Sequence, residues 1–190
     1  MFVPSINYVP LLSEETMNLH VQKLYKGYLE RLRKITNDDP LFAVLNISNY
    51  PLSERGDILY NAGGVLNHEL YFEELNQHGN HEPKGQLKLA IDKKYGNFET
   101  FKHEFIKIAK QLVGSGYTFL VLQNEELNIV NMSNQETPYS YDMIPLMNID
   151  LWEHAYYLDY KTSKDAYIEA FFKLLDFDVI ENRYEQATQN

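Results

Sequence analysis

Tyr117-Thr-Phe-Leu-Val-Leu-Gln-Asn-Glu-Glu-Leu-Asn-Ile-Val-Asn-Met-Ser133 decides the fold class, because it is where a helical chain turns into sheet. Tyr117 to Gln123 and Leu127 to Ser133 are short β-prone runs joined by Asn124-Glu125-Glu126, which predicts an antiparallel hairpin. Downstream, Pro145 to Trp152 supplies a third strand, and amphipathic helix returns from about Lys164 to Leu175. Upstream, Gly114-Ser115-Gly116 closes two helical patterns, Gln86 to Lys94 and Phe98 to Leu112, which Tyr95-Gly96-Asn97 separates. Asn76 to Gly85 is rich in turn formers and marks a boundary between residues 1–82 and 83–190.

The first of these regions reads as helix throughout. After an extended start, Ser13 is placed to cap a helix with Thr16 three residues on and Glu14 and Glu15 in the first turn. Met17, Val21, Leu24, Tyr25, Tyr28, Leu29 and Leu32 then recur with the period of a half-buried helix, and His20 lies within that stripe. Asn37-Asp38-Asp39-Pro40 breaks the pattern, and Pro51 with Ser53 precedes a second helix from about Gly56 to Leu75. The expected architecture is α+β: an N-terminal long α-hairpin domain, then a C-terminal α/β domain with a three-stranded antiparallel sheet.

Composition narrows the chemistry. The chain has 190 residues, 44% hydrophobic, with a formal net charge of −10 and no cysteine. Disulfides, thiolate ligands, iron–sulfur clusters and cysteine nucleophiles are excluded, so a metal must be held by nitrogen and oxygen. The acidic balance and the lack of a Lys/Arg cluster argue against a nucleic-acid partner. No apolar run approaches the roughly 18 residues of a membrane span, and MFVPSINYVP lacks the pattern of an export leader, so a soluble, cytoplasmic protein without membrane contact is expected.

Asp150-Leu151-Trp152-Glu153-His154 carries the densest chemical signal: a carboxylate and an imidazole four residues apart among apolar and aromatic residues. If Asp150 ends the strand and His154 lies on the turn after it, both side chains reach one point; a structural His–Asp pair beneath the core fits the same residues equally well. His20 alone reads as a satisfied core residue. His68 stands one helical turn after Gly64 and one before Phe72, and because a helical glycine costs about 1 kcal/mol against alanine, Gly63-Gly64 implies that another group occupies the space, with local flexibility as the alternative. His78, His81 and His103 read as solvated. Together, His20, His68, Asp150 and His154 make a nitrogen/oxygen site that suits manganese or iron better than structural zinc.

At this point the sequence resembles the manganese/iron superoxide dismutase family from about Asn7 to Glu185. Asp150-Leu-Trp-Glu-His-Ala-Tyr-Tyr157 is similar to the family signature D-x-W-E-H-A-Y-Y; Glu15-Thr-Met-Asn-Leu-His20 and Asn67-His68 are similar to the segments carrying its first two ligands. Tyr95-Gly-Asn-Phe98, Gly114-Ser-Gly116 and Asn134-Gln135 before Pro138 follow in family order. The resemblance implies superoxide as substrate, dismuted to dioxygen and hydrogen peroxide, with His20, His68, Asp150 and His154 as metal ligands. It also implies Tyr28 on the substrate funnel, Gln135 bonded to metal-bound solvent, and Trp152 as a pocket wall. The family's iron type usually brings its outer glutamine from the helix, at the place held here by Gly64, so Gly64 with Gln135 resembles the manganese pattern. Manganese is expected, with iron or either metal as the alternative. The resemblance further implies a homodimer in which Glu153 of one subunit meets His154 of the other.

Departures from the pattern are equally specific. The family reads H-x-x-x-H-H-x-x-Y after the first ligand, whereas this chain reads His20-Val-Gln-Lys-Leu24-Tyr25-Lys-Gly-Tyr28. Leu24 replaces a gateway histidine, so the family's bridge from there to Tyr157 of the partner cannot form. Phe72, Tyr117, Phe119 and Phe177 stand where the family often has tryptophan, leaving Trp152 as the only one. Altered proton delivery, product inhibition or pH dependence is expected. The rival readings are a catalytically silent homologue and a metal enzyme with another oxygen substrate. Lys161 and Lys164 read as surface lysines, with a weaker reading as attractors of an anion.

Overall fold

Ser13 starts the first helix as expected: its hydroxyl accepts the backbone N–H of Thr16 at 3.1 Å. A computed structural model describes residues 11–76 and 78–189; the expected extended start lies outside the described residues up to residue 10. Helix α1 (Glu14–Leu19) passes through a π-helical stretch, His20–Tyr25, into α2 (Lys26–Arg33). The even period expected here is therefore interrupted at His20. The apolar pattern could not reveal this, since Val21, Tyr25, Tyr28 and Leu32 are buried with the wider turn in place.

Asn37 to Pro40 both breaks that helix and begins another. The Asp39 carboxylate accepts the N–H groups of Leu41 and Phe42, with Pro40 at the first helical position, and so starts α3 (Pro40–Leu45). A 3₁₀ turn (Ile47–Asn49) leads to α4 (Leu52–Glu74), which begins four residues before the expected Gly56. The paired helices α2 and α4 form the N-terminal hairpin.

The second region opens with α5 (Gly85–Tyr95) and α6 (Phe98–Lys110), joined at Gly96, whose φ of 89° favours glycine. Strands β1 (Gly116–Gln123), β2 (Glu126–Ser133) and β3 (Ile144–Asp150) follow, antiparallel in the order β2-β1-β3. Asn124 and Glu125 take φ of 51° and 63°, a two-residue turn whose twist matches the strands, so Glu126 belongs to β2 rather than to the loop. β3 ends at Asp150, two residues before the expected Trp152. Trp152 instead precedes α7 (Glu153–Tyr160), and His154 lies in the first turn of that helix. The helix expected from Lys164 to Leu175 divides into α8 (Lys164–Ala170) and a 3₁₀ turn (Phe171–Lys173), and α9 (Phe177–Thr188) completes the fold.

Alternation along β1 divides the core. Leu120 and Leu122 join a large cluster with Leu87, Ile91, Phe101 and Phe105 of α5 and α6. Tyr117, Phe119 and Val121 face the other way and pack with Met132 and Trp152. Backbone bonds tie the two regions together: Asn76 N–H to Leu174 O at 2.7 Å, and Asp176 N–H to Glu74 O at 2.8 Å. Among the described residues no helix is long and apolar enough to cross a membrane.

Candidate metal centre

Four side chains from four elements converge. His20 comes from the π-helical turn, His68 from α4, Asp150 from the end of β3 and His154 from α7. The Nε2 atoms of His20, His154 and His68 lie 3.2, 3.4 and 3.8 Å from Asp150 Oδ2, and one donor atom from each residue lies within 4.8 Å of the others. Donors about 2.1 Å from a common ion stand at most about 4.2 Å apart, so the three distances to Asp150 already fit and the widest pair needs to close by only about half an ångström. The Nε2 atoms of His68 and His154 are buried without a hydrogen-bond partner, which is costly unless a cation takes their lone pairs. The residues therefore fit a mononuclear nitrogen/oxygen metal site.

Protonation agrees with that fit. Burial lowers both His20 and His68, the latter to about 3, so both imidazoles are neutral at physiological pH. For Asp150 burial acts upward, but the electrostatic pull of His154, 3.4 Å away, and then of His20, whose Nε2 bonds the carboxylate, overrides it and holds the carboxyl well below the usual range. His68 Nδ1 donates to Gly64 O at 2.5 Å, which fixes the tautomer and leaves Nε2 facing Asp150. Tyr117 Oη lies 3.4 Å from the same Nδ1.

The two glycines of α4 are explained by what packs on them. A Cβ at Gly63 would lie 2.0 Å from the Gln135 carbonyl oxygen, and one at Gly64 would lie 2.5 Å from the Tyr28 ring. Close approach is thus the reason for both, as the sequence implied. It seats the loop after β2 against α4, where Asn67 Nδ2 also donates to Glu136 O at 3.0 Å. Gln135 Nε2 donates to Tyr28 Oη at 3.0 Å, and the Tyr28 ring lies 5.3 Å from that of His68. The Trp152 ring stacks 5.7 Å from His154, with its Nε1 donating to Asn134 O. Phe72 and Tyr71 wall His20 at 4.9 and 5.5 Å.

Residues 6–76 match the family model described as iron/manganese superoxide dismutases, alpha-hairpin domain, and residues 83–183 match the corresponding C-terminal domain. The chain belongs to the iron/manganese superoxide dismutase family. Family relatives span metal types. The chain is 34% identical to superoxide dismutase [Mn] of Listeria innocua (94% of this chain, 92% of that one). It is 37% identical to superoxide dismutase [Fe] of Legionella pneumophila (89% and 88%). It is 36% identical to superoxide dismutase [Mn/Fe] of Porphyromonas gingivalis (92% and 92%).

Other sequence candidates fall elsewhere. His78 and His103 are exposed, but His81 is partly buried and its Nδ1 lies 2.8 Å from Leu175 O, so it anchors a loop rather than being solvated. Lys164 donates to Leu112 O at 3.3 Å, a structural contact. Leu24 is half-buried, and Tyr157 is 45% exposed. Sequence reading missed Tyr71, the Gly64 carbonyl and Tyr60, whose ring lies 5.8 Å from that of Tyr28. A carbonyl carries no side-chain signal, and neither tyrosine stands out among the 15 in the chain.

Proposed function

We propose that this protein is a superoxide dismutase that works with manganese held by His20, His68, Asp150 and His154. The convergence of three histidines on the ionised Asp150 carries the reading. The choice of manganese rests on Gly64 and Gln135: the Tyr28 ring fills the space above Gly64, and Gln135 is the glutamine that reaches Tyr28.

A bound manganese ion supplies reversible one-electron chemistry, by which one superoxide is oxidised to dioxygen and another is reduced to hydrogen peroxide. Asp150 contributes one negative charge beside the neutral imidazoles of His20 and His68, so a bound divalent or trivalent ion would leave the centre cationic and attractive to an anion. Burial, then the neighbouring Tyr60 hydroxyl, raise Tyr28 above the usual phenol value, so it stays protonated and able to donate at neutral pH. Gln135 orients that hydroxyl, and its own Oε1 is buried without a protein partner. Trp152, Phe72 and Tyr71 shield the histidines from bulk water.

The same reading takes the active form as a homodimer, in which Glu153 of one subunit supports His154 of the other. Glu153 is exposed, and His154 keeps 20% side-chain exposure at the start of α7. Leu24 removes one polar group from the approach to the site.

Elemental analysis and dismutase assays, repeated after loading with manganese and with iron, test the proposal. About one manganese per chain with activity is the expected result. Equal activity with either metal removes the selectivity argument, and bound metal without activity favours the silent-homologue reading.

A further inference from the structure

Arg31 lies on α2 one turn after Tyr28 and is held in a shaped seat. Its guanidinium carbon stands 4.7 Å from the centre of the Tyr28 ring. Its Nε donates to Asn61 Oδ1 at 2.9 Å, and Asn61 is itself fixed by donating from Nδ2 to Asp57 O at 2.8 Å. Gly27 leaves the room: a Cβ there would lie 3.1 Å from Arg31 Nη1. Open space at Gly27, the Asn61 oxygen and the aromatic face thus place one flat cation over the ring whose hydroxyl meets Gln135.

A cation held in this way is unexpected on a protein of net charge −10, which repels small anions. Arg31 is exposed, so its charge reaches solvent, while the Tyr28 ring beneath it touches His68. We propose that Arg31 guides the anionic substrate toward the metal centre past Tyr28. This rests on the function proposed above, since it takes Tyr28 as lying on the route inward. The guanidinium offsets the acidic surface locally and leaves electron transfer to the centre itself. Arginine suits the place better than lysine because only its plane both stacks on Tyr28 and bonds Asn61 sideways.

The test uses manganese-loaded protein with azide as the anion, its dissociation constant read by absorbance, beside superoxide turnover, both across a salt series. A unit charge passing about 5 Å from a solvent-exposed cation gains roughly fourfold in local concentration at low salt, so Arg31→Gln is expected to weaken azide and lower kcat/KM by about that factor. The gap should close by about 0.5 M salt. Arg31→Lys is expected to restore most of the loss, and Gly27→Ala, which displaces the guanidinium, to reproduce part of it. Azide affinity and salt slope in Arg31→Gln identical to the unaltered protein overturn the role, even in a fully active enzyme. An Arg31→Lys protein as impaired as Arg31→Gln also overturns it, by showing that packing rather than charge matters. A salt-dependent azide gap in protein without dismutase activity supports the anion-guiding role while overturning the function on which it was built.

Discussion

The backbone N–H of Trp152 donates to Oδ1 of Asp150 at 2.8 Å, so the carboxylate turns the chain with one oxygen and faces the three histidines with the other. This bond between residues two apart ends β3 and aims His154, on the first turn of α7, back at its neighbour. Asp150→Asn keeps an oxygen for the turn but removes the anionic donor. The protein is expected to stay folded, with a melting temperature close to that of the unaltered apoprotein. Manganese affinity should fall by more than the roughly 10–100-fold typical of losing a supporting partner. Metal analysis after dialysis against a weak chelator reads this directly; retention of one manganese per chain would remove Asp150 from the ligand set.

Two glycines of α4 should respond to alanine with opposite signs. A methyl group added at Gly56 would have nothing within 4 Å of it, so Gly56→Ala is expected to stabilise by up to about 1 kcal/mol through helix propensity. At Gly64 the same methyl meets the Tyr28 ring at 2.5 Å, and overpacking of about 1–3 kcal/mol exceeds that gain. Urea midpoints of the two variants measure the difference. Only Gly64→Ala should also change the environment of Tyr28, and with it dismutase activity.

Where sequence reading succeeded, the signal was carried by side chains at fixed spacings. The Ser13 cap, the hairpin around Asn124 and the Asp150–His154 pair could be read in this way, whereas His20 and His68 became ligands only through the family resemblance; the paired glycines correctly implied a close neighbour. What stayed hidden depended on backbone placement. The π-helical turn at His20 leaves the apolar stripe almost unchanged, and α7 buries only Ala155 and Tyr156 of its residues, too few to print a helical period. Asp39 and Pro40 read as a break because the residues that stop one helix also cap the next. Arg31 was invisible because its meaning lies in Asn61 and Gly27, which are distant or featureless in sequence.

The apoprotein should lose stability as pH falls below about 6.5. His68 has a folded-state pKa of about 3 against 6.5 in the unfolded chain, and His20 is shifted in the same direction. Between those values the unfolded chain binds more protons, so stability rises with pH and is lost on acidification. His68 alone contributes about 1.4 kcal/mol per pH unit across that window. Urea unfolding at pH 7, 6 and 5 measures the slope, which His68→Gln should make shallower. Manganese loading should steepen the loss, because protons then compete with the metal for the same nitrogens.

Six residues after His68, Glu74 is fully buried on α4 with Arg183 Nη1 2.7 Å from one carboxylate oxygen and the Asn148 N–H 3.0 Å from the other. Arg183 also donates to the carbonyls of Leu70 and Leu146, so one guanidinium locks α9 onto α4 and β3. Burial pushes the Glu74 carboxyl up to about 8 even with Arg183 beside it. Arg183→Met leaves that group without its counter-charge and, where the carboxylate is ionised, should cost about 3–5 kcal/mol, the usual penalty for breaking a buried pair. Removing Arg183 raises the carboxyl further, so below about 8 the folded state is protonated with or without it, and the penalty should grow as pH rises from 8 to 10. Adding Glu74→Gln should recover part of the loss and abolish the pH dependence. Urea titrations of the single and double variants at the two pH values decide it: an equal cost at both would mean that Arg183 acts through the carbonyls of Leu70 and Leu146 rather than through the charge of Glu74.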